Sequence, residues 1–138
     1  MKKYEITDEA HPEHPNLYRI RALRDIEPHG VKAGDLGGYI NSEANLSQYG
    51  DCWVGDDAIV LGDASVLLDA RVYGTSEVRG HAKVYGNAQV KGSAIVCEHA
   101  TVTGNATVTD YAVVCGHAHI CGHAHVSGNM RVTAVHES

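Results

Sequence analysis

The sequence contains no phenylalanine, one tryptophan and two methionines, and aromatic residues make up only 6% of its 138 residues. A chain of this length is long enough for one domain with a real core. Ordinary globular cores fill their interior with large aromatic and aliphatic side chains. Here the core has to be built mainly from alanine and valine, which indicates a thin and regular interior.

Positive charge is also scarce. The chain has 11 Lys and Arg residues against 17 Asp and Glu residues, a formal net charge of −6. Binding to a phosphate backbone requires clustered basic residues. Nucleic acid is therefore not an expected partner.

Long apolar runs are missing as well. No run approaches the roughly 18 residues of a membrane span, and the opening stretch MKKYEITDEAHPEHPN lacks the apolar centre of a secretion signal. We therefore expect a cytoplasmic protein with no membrane partner. In that compartment its four cysteines are expected to be reduced thiols and not a disulfide framework.

An internal repeat of six residues organises most of the chain. From Cys52 to Met130 a small residue or its equivalent recurs at every sixth position, and an aliphatic residue follows two positions later, from Val54 to Val132. Turn-forming pairs such as Gly86-Asn87 and Gly104-Asn105 precede the small residues. The pattern is too long and too regular to arise by chance.

The repeat predicts a single-stranded β-solenoid. Residues two apart lie on the same side of a strand, so each unit is a short strand with one inward face. Glycine and asparagine tolerate positive φ, so each unit ends in a corner. A helix would need apolar spacings of three and four, and the β-branched residues at the aliphatic positions oppose one.

Two resemblances refine this prediction. The unit [VI]-x-G-[NH]-A-x resembles the hexapeptide repeats of left-handed parallel β-helices, which implies a triangular coil of about 18 residues. The segments LYRIRALRDI, GVKAGDLGGYI and NLSQYGDCWV, followed by the GNAxV rows, look like the YdcK-like hexapeptide proteins of bacteria, prophages and phages. That likeness implies the fold and a phage or prophage setting, hence the host cytoplasm for a phage gene. It supplies no catalytic residues to transfer.

The expected organisation follows from the repeat and its flanks. Residues 1–16, with two prolines and several charges, are expected to be loosely ordered. Residues 17–51 form an N-terminal cap that protects the strand edges of the first coil. Residues 52–133 form the β-helix, and residues 134–138 are a short tail.

The run CGHAHICGHAHV at residues 115–126 resembles a metal site but is expected to be spread around the coil. True neighbours lie 18 residues apart, so Cys97, His99, Cys115 and His117 stack at one corner. Two thiolates and two imidazoles are a common zinc set. The alternative is that histidine is only a tolerated corner residue, as asparagine is. We therefore predict no cofactor and no catalytic residues, and keep these four residues as candidate zinc ligands.

One outward face is expected to mediate self-association. Its apolar stripe, interrupted by Glu77 and Arg79, consists of Ile59, Leu61, Ile95, Cys97, Val113 and Cys115. An apolar stripe on a flat side usually marks association, and a trimer or dimer is the natural closed form. The alternative is that β-branched residues simply favour strands. Trp53 is expected on another outward face.

These features favour a non-catalytic binding module that binds or sequesters a host protein or small ligand, with a possible anti-defence role implied by the phage resemblance. The alternative is a trimeric hexapeptide-repeat enzyme of the acyltransferase or γ-carbonic-anhydrase type, with a histidine site at the subunit interface. A third interpretation, a purely structural spacer, is disfavoured because both ends look terminated.

Overall fold

The computed structural model describes the backbone of residues 2–137 and the side chains of residues 2–134. The chain winds through about five coils, and each short strand pairs in parallel with the strand 18 residues later, as Ile95 does with Val113. Three parallel-stranded faces result. The predicted β-solenoid is therefore confirmed.

The first sheet consists of β1 (Tyr4–Ala10), β2 (Tyr18–Ala22), β3 (Leu36–Ile40), β5 (Ile59–Val60), β8 (Glu77–Val78), β11 (Ile95–Val96), β14 (Val113–Val114) and β17 (Arg131–Val132), in that spatial order. The second consists of β4 (Trp53–Val54), β7 (Arg71–Val72), β10 (Gln89–Val90), β13 (Thr107–Val108) and β16 (His125–Val126). The third consists of β6 (Ser65–Val66), β9 (Lys83–Val84), β12 (Thr101–Val102), β15 (His119–Cys121) and β18 (Val135–Glu137).

The interior is a stack of alanine and valine columns. Inward residues such as Ala94, Val96, Ala100 and Val102 are fully buried. Each short strand donates to the next coil, as Ile95 N–H does to the carbonyl of Ala112 at 2.9 Å. Small inward side chains let three faces meet around one axis, which explains why the core needs no phenylalanine.

Every corner contains one residue with positive φ, spaced six residues apart from Gly50 to Gly128. Most are glycines, as the repeat predicts. Four are not: Asp56, Leu68, Glu98 and Asp110 have φ between 53° and 61°. One coil further on, each of these four is followed by a glycine: Gly74, Gly86, Gly116 and Gly128. A corner side chain therefore always has a glycine beneath it.

The N-terminal cap adds antiparallel strands to the first sheet. β1 pairs with β2 and β2 with β3, after which β3 pairs in parallel with β5. Two three-residue 3-10 helices, Glu27–His29 and Glu43–Asn45, lie in the connections. Across residues 2–137, no helix has the length and apolar character needed to cross a membrane.

Asn45 joins the cap to the first regular coil. Its side chain is fully buried. The amide oxygen accepts hydrogen bonds from the backbone N–H groups of Asn41 and Ser42, both at 3.0 Å. The amide nitrogen donates to the carbonyls of Ala64 at 2.8 Å and Gly62 at 3.2 Å. One side chain thus satisfies four backbone groups where the repeat is irregular.

Buried polar side chains close the N-terminal end of the core. The Tyr4 hydroxyl donates to the carbonyl of Leu46 at 2.6 Å, and burial raises the pKa of this phenol. Lys3 is fully buried and donates to the Cys52 carbonyl at 2.7 Å, with its Nζ 3.2 Å from the Cys52 sulfur. Burial lowers the pKa of Lys3 and raises the pKa of Cys52. The end of the core is therefore closed by hydrogen-bonded polar groups as well as by apolar contacts.

The structure differs from the sequence-based expectation at three places. Residues 1–16 were expected to be loose, yet Tyr4–Ala10 forms a strand. Trp53 was expected on an outward face, yet it is only 2% exposed and lies edge-on to the Tyr4 ring. In the tail, Val135–Glu137 forms β18, in which Val135 pairs with His119. The cap packs over the first coil and buries residues that the repeat alone would leave exposed.

Candidate functional site

One corner of the solenoid brings histidine, cysteine and acidic side chains from successive coils together. It follows the first-sheet strands and contains residues 61–63, 79–81, 97–99 and 115–117, stacked at the coil spacing. We call it the Cys/His corner. Its stacking confirms the 18-residue register on which the sequence analysis placed these residues together.

A ladder of three parallel imidazoles runs along one side of this corner. The ring centroids of His81 and His99 are 4.9 Å apart and those of His99 and His117 are 5.1 Å apart, with interplanar angles of 3° and 6°. At the N-terminal end, Asp63 Oδ2 lies 3.5 Å from His81 Nδ1. All three histidines are exposed to solvent.

The other side of the corner carries two stacked thiols and a carboxylate. Potential ligand atoms of Cys97, Glu98 and Cys115 all lie within 4.8 Å of one another. Cys97 is 8% exposed and Cys115 is 2% exposed. Burial raises the pKa of the Cys97 thiol, although the adjacent Arg79 guanidinium opposes that rise. We call this group the Cys97–Glu98–Cys115 cluster.

The four candidate zinc ligands from the sequence do not converge. Cys97 and Cys115 come together, but His99 and His117 stand outside the cluster of mutually close ligand atoms. The His99 and His117 rings are parallel and about 5 Å apart, so their equivalent nitrogens are separated by the same distance. Two nitrogens that bind one tetrahedral ion would have to be roughly 3.4 Å apart. Sequence reasoning missed Glu98. The available signal was its position, because the equivalent residues of the neighbouring coils, Gly80 and Gly116, are glycines.

The predicted apolar stripe is in register on the first sheet. Glu77 separates Ile59 from Ile95, and Ile95 pairs directly with Val113. Ile95 and Val113 are half-buried. Cys97 and Cys115 lie at the edge of the stripe, where it meets the Cys/His corner.

The cap covers the N-terminal end of this stripe. Leu17 and Tyr39 pack with Ile59, and Leu61 packs against the same group. Arg19 holds this part of the cap in place, because its guanidinium lies over the Tyr39 ring and donates to the Gly37 carbonyl at 2.8 Å. Tyr39 belongs to the same sheet face, since it pairs with Ile59, whereas Leu17 comes from the segment before β2 and already packs on part of the predicted interface.

A cleft of about 240 Å³ opens where the cap meets the Cys/His corner. Its walls are formed by His14, Pro15, Asn16, Leu17, Asn41, Leu61 and Gly62. The cleft thus lies above the corner that continues into Arg79 and the Cys97–Glu98–Cys115 cluster. The repeat gave no signal for the cleft, because residues 14–17 of its wall come from the non-repeating segment before β2.

No protein-family model matches the sequence, and a comparison with curated proteins finds no match.

Proposed function

We propose that this protein is a non-catalytic binding module that self-associates through the apolar stripe of its first sheet. The observation that supports this most strongly is the packing of Leu17 with Tyr39 and Ile59 at the covered end of the stripe. The uncovered continuation, centred on Ile95 and Val113, has the same aliphatic character and lies on the same face. A second copy of the chain is its proposed occupant.

Geometry supports a second copy as that occupant. The strands of the first sheet are stacked in register, so the face is regular along its length. A regular face can pack against its own copy about a symmetry axis, which gives a closed dimer or trimer. The cleft beside the stripe is lined by apolar and neutral polar side chains together with His14, a composition suited to holding a ligand or peptide segment.

We expect Ile95→Glu to convert the oligomer to monomers, because a carboxylate would be buried against apolar side chains of the partner copy. Native mass spectrometry and light scattering of the full chain measure this directly. Thr101→Glu is the matched control, since Thr101 begins the next short strand at the equivalent outward position on the third sheet. An Ile95→Glu protein with the native oligomer mass would contradict the proposed interface.

The sequence resemblance to YdcK-like phage and prophage proteins supports a more specific role. A compact, rigid protein of this kind suits the sequestration of a component of host defence. The proposed partner is a host protein or a small-molecule ligand bound at the cleft and the neighbouring Cys/His corner. The resemblance supports this setting, and the cleft supplies a place for the ligand.

Expression of the protein is expected to restore phage plating on a host that carries the targeted defence system. The experiment uses a panel of defence systems in one host strain, with an empty vector for comparison. Asn16→Trp would fill the mouth of the cleft, where Asn16 is exposed, and is expected to abolish rescue. Thr107→Trp on the second sheet is the control. Failure to rescue plating across a broad panel would argue against the anti-defence role.

A further inference from the structure

We propose that Cys97, Glu98 and Cys115 bind one divalent metal ion of the zinc class through two sulfurs and one carboxylate oxygen. This inference goes beyond the binding function and does not depend on it. It rests on the juxtaposition of three ligand atoms within 4.8 Å of one another at the corner between the first and third sheets.

The donor set suits a borderline-soft ion. Zinc binds cysteine sulfur at about 2.3 Å and carboxylate oxygen at about 2.0–2.2 Å, usually in a tetrahedron. Two sulfurs of a tetrahedral site are then roughly 3.8 Å apart, so the cluster must contract by up to about 1 Å to close around an ion. The two cysteines are held in register by the pairing of β11 with β14. Because Glu98 is exposed, the fourth position is open to water.

The backbone at Glu98 is the second observation. Glu98 has φ of 61°, a conformation that costs a non-glycine residue about 1–2 kcal/mol. Strain of this kind concentrates at functional sites. Three other corner residues have the same conformation: Leu68 is apolar, and Asp56 and Asp110 each accept a hydrogen bond from the corner glycine one coil further on, Gly74 or Gly128.

Glu98 makes no such hydrogen bond to Gly116 within residues 2–137. Its longer side chain is instead free to reach the two sulfurs beside it. Glycines at positions 80 and 116, above and below, leave room for that movement. A metal ligand at this position explains why a carboxylate stands where the corner favours glycine.

Arg79 lowers the net negative charge of the site. Its guanidinium interacts with the Cys97 sulfur. Two thiolates and one carboxylate carry three negative charges, of which a divalent ion cancels two. The Arg79 guanidinium, whose Nη1 also lies 4.0 Å from a Glu77 carboxylate oxygen, offsets part of the third. This compensation lowers the cost of placing charge beside a buried surface.

The test is titration of the full-length protein, reduced with a phosphine and freed of metal, with Zn²⁺ and with Co²⁺ as a spectroscopic probe. We expect one ion per chain and a sulfur-to-cobalt charge-transfer band in the near ultraviolet. Cys115→Ser should weaken binding by more than about tenfold, since even outer-shell changes cost tenfold or more, and should reduce the band. Glu98→Gln should weaken binding while retaining the band.

Two control variants decide between alternative metal sites. His99→Ala and Cys121→Ser are expected to bind as the native protein does. Circular dichroism of each variant checks the fold, and Glu98→Gln alters only an exposed side chain, so it tests the site even if Cys115→Ser fails to fold. Absence of the cobalt band in the native protein, unchanged affinity in Glu98→Gln, or loss of binding in His99→Ala would overturn the proposal.

Discussion

Asn45→Ala is expected to lower the free energy of unfolding by about 2–4 kcal/mol, because four backbone groups lose their partner at a buried position. A loss of this size corresponds to a fall in Tm of roughly 10 °C for a domain of this length. Most of this loss is expected from the carbonyls of Gly62 and Ala64, because they lose their hydrogen-bond donor inside the protein. Chemical denaturation with circular dichroism measures the change.

Two further variants test the reason for that loss. Asn105→Ala removes an asparagine from an exposed corner and is expected to change stability by less than about 0.5 kcal/mol. Asn45→Asp keeps the two accepted hydrogen bonds but places an oxygen against the carbonyls of Gly62 and Ala64. Native stability in Asn45→Asp would contradict the claim that the donated hydrogen bonds hold the cap to the first coil.

Gly92→Ala is expected to destabilise the protein by about 3 kcal/mol, the second large effect. Gly92 has φ of 64°, and an alanine there pays about 1–2 kcal/mol for that conformation. A Cβ at Gly92 would also lie 2.7 Å from the backbone nitrogen of Asp110 on the next coil, a distance that forces the coils apart.

Gly62→Ala separates the two causes. Gly62 has almost the same φ, 67°, but a Cβ there would meet its nearest neighbour, the Gly80 carbonyl oxygen, at an ordinary 3.4 Å. We therefore expect a loss of only about 1–2 kcal/mol. Equal losses in thermal unfolding of Gly62→Ala and Gly92→Ala would mean that backbone conformation alone decides, and that contact between coils does not.

The repeat predicted the solenoid because its six-residue period is a direct consequence of the structure. Inward alanine and valine, corner glycine and the stacking of residues 18 apart all follow from one register. That register also predicted the stacking of Cys97 with Cys115 and of His99 with His117. Wherever each coil repeats the one before it, the periodicity of the sequence was sufficient to predict the structure.

The remaining features depend on contacts that no period encodes. β1 and β2 pair antiparallel with each other and with β3, and their burial of Trp53 and Lys3 depends on long-range packing. At the Cys/His corner, Glu98 lies close to the cysteines and His99 does not, a distinction that the 18-residue register does not make. The sequence located the corner, but only its three-dimensional shape selects the donor set.

The glycine beneath each corner side chain limits how this chain can gain or lose coils. Removing residues 57–74 would bring Asp56 above Gly92, and removing residues 75–92 would bring Gly74 above Asp110, so either coil could be removed while every corner side chain still has a glycine one coil further on. Removing residues 57–92 would instead place Asp56 directly above Asp110, two like charges at strand spacing. Whole coils can thus be deleted or added under one rule: every corner side chain must have a glycine one coil further on. Related chains of different length are expected to differ by whole coils that respect it.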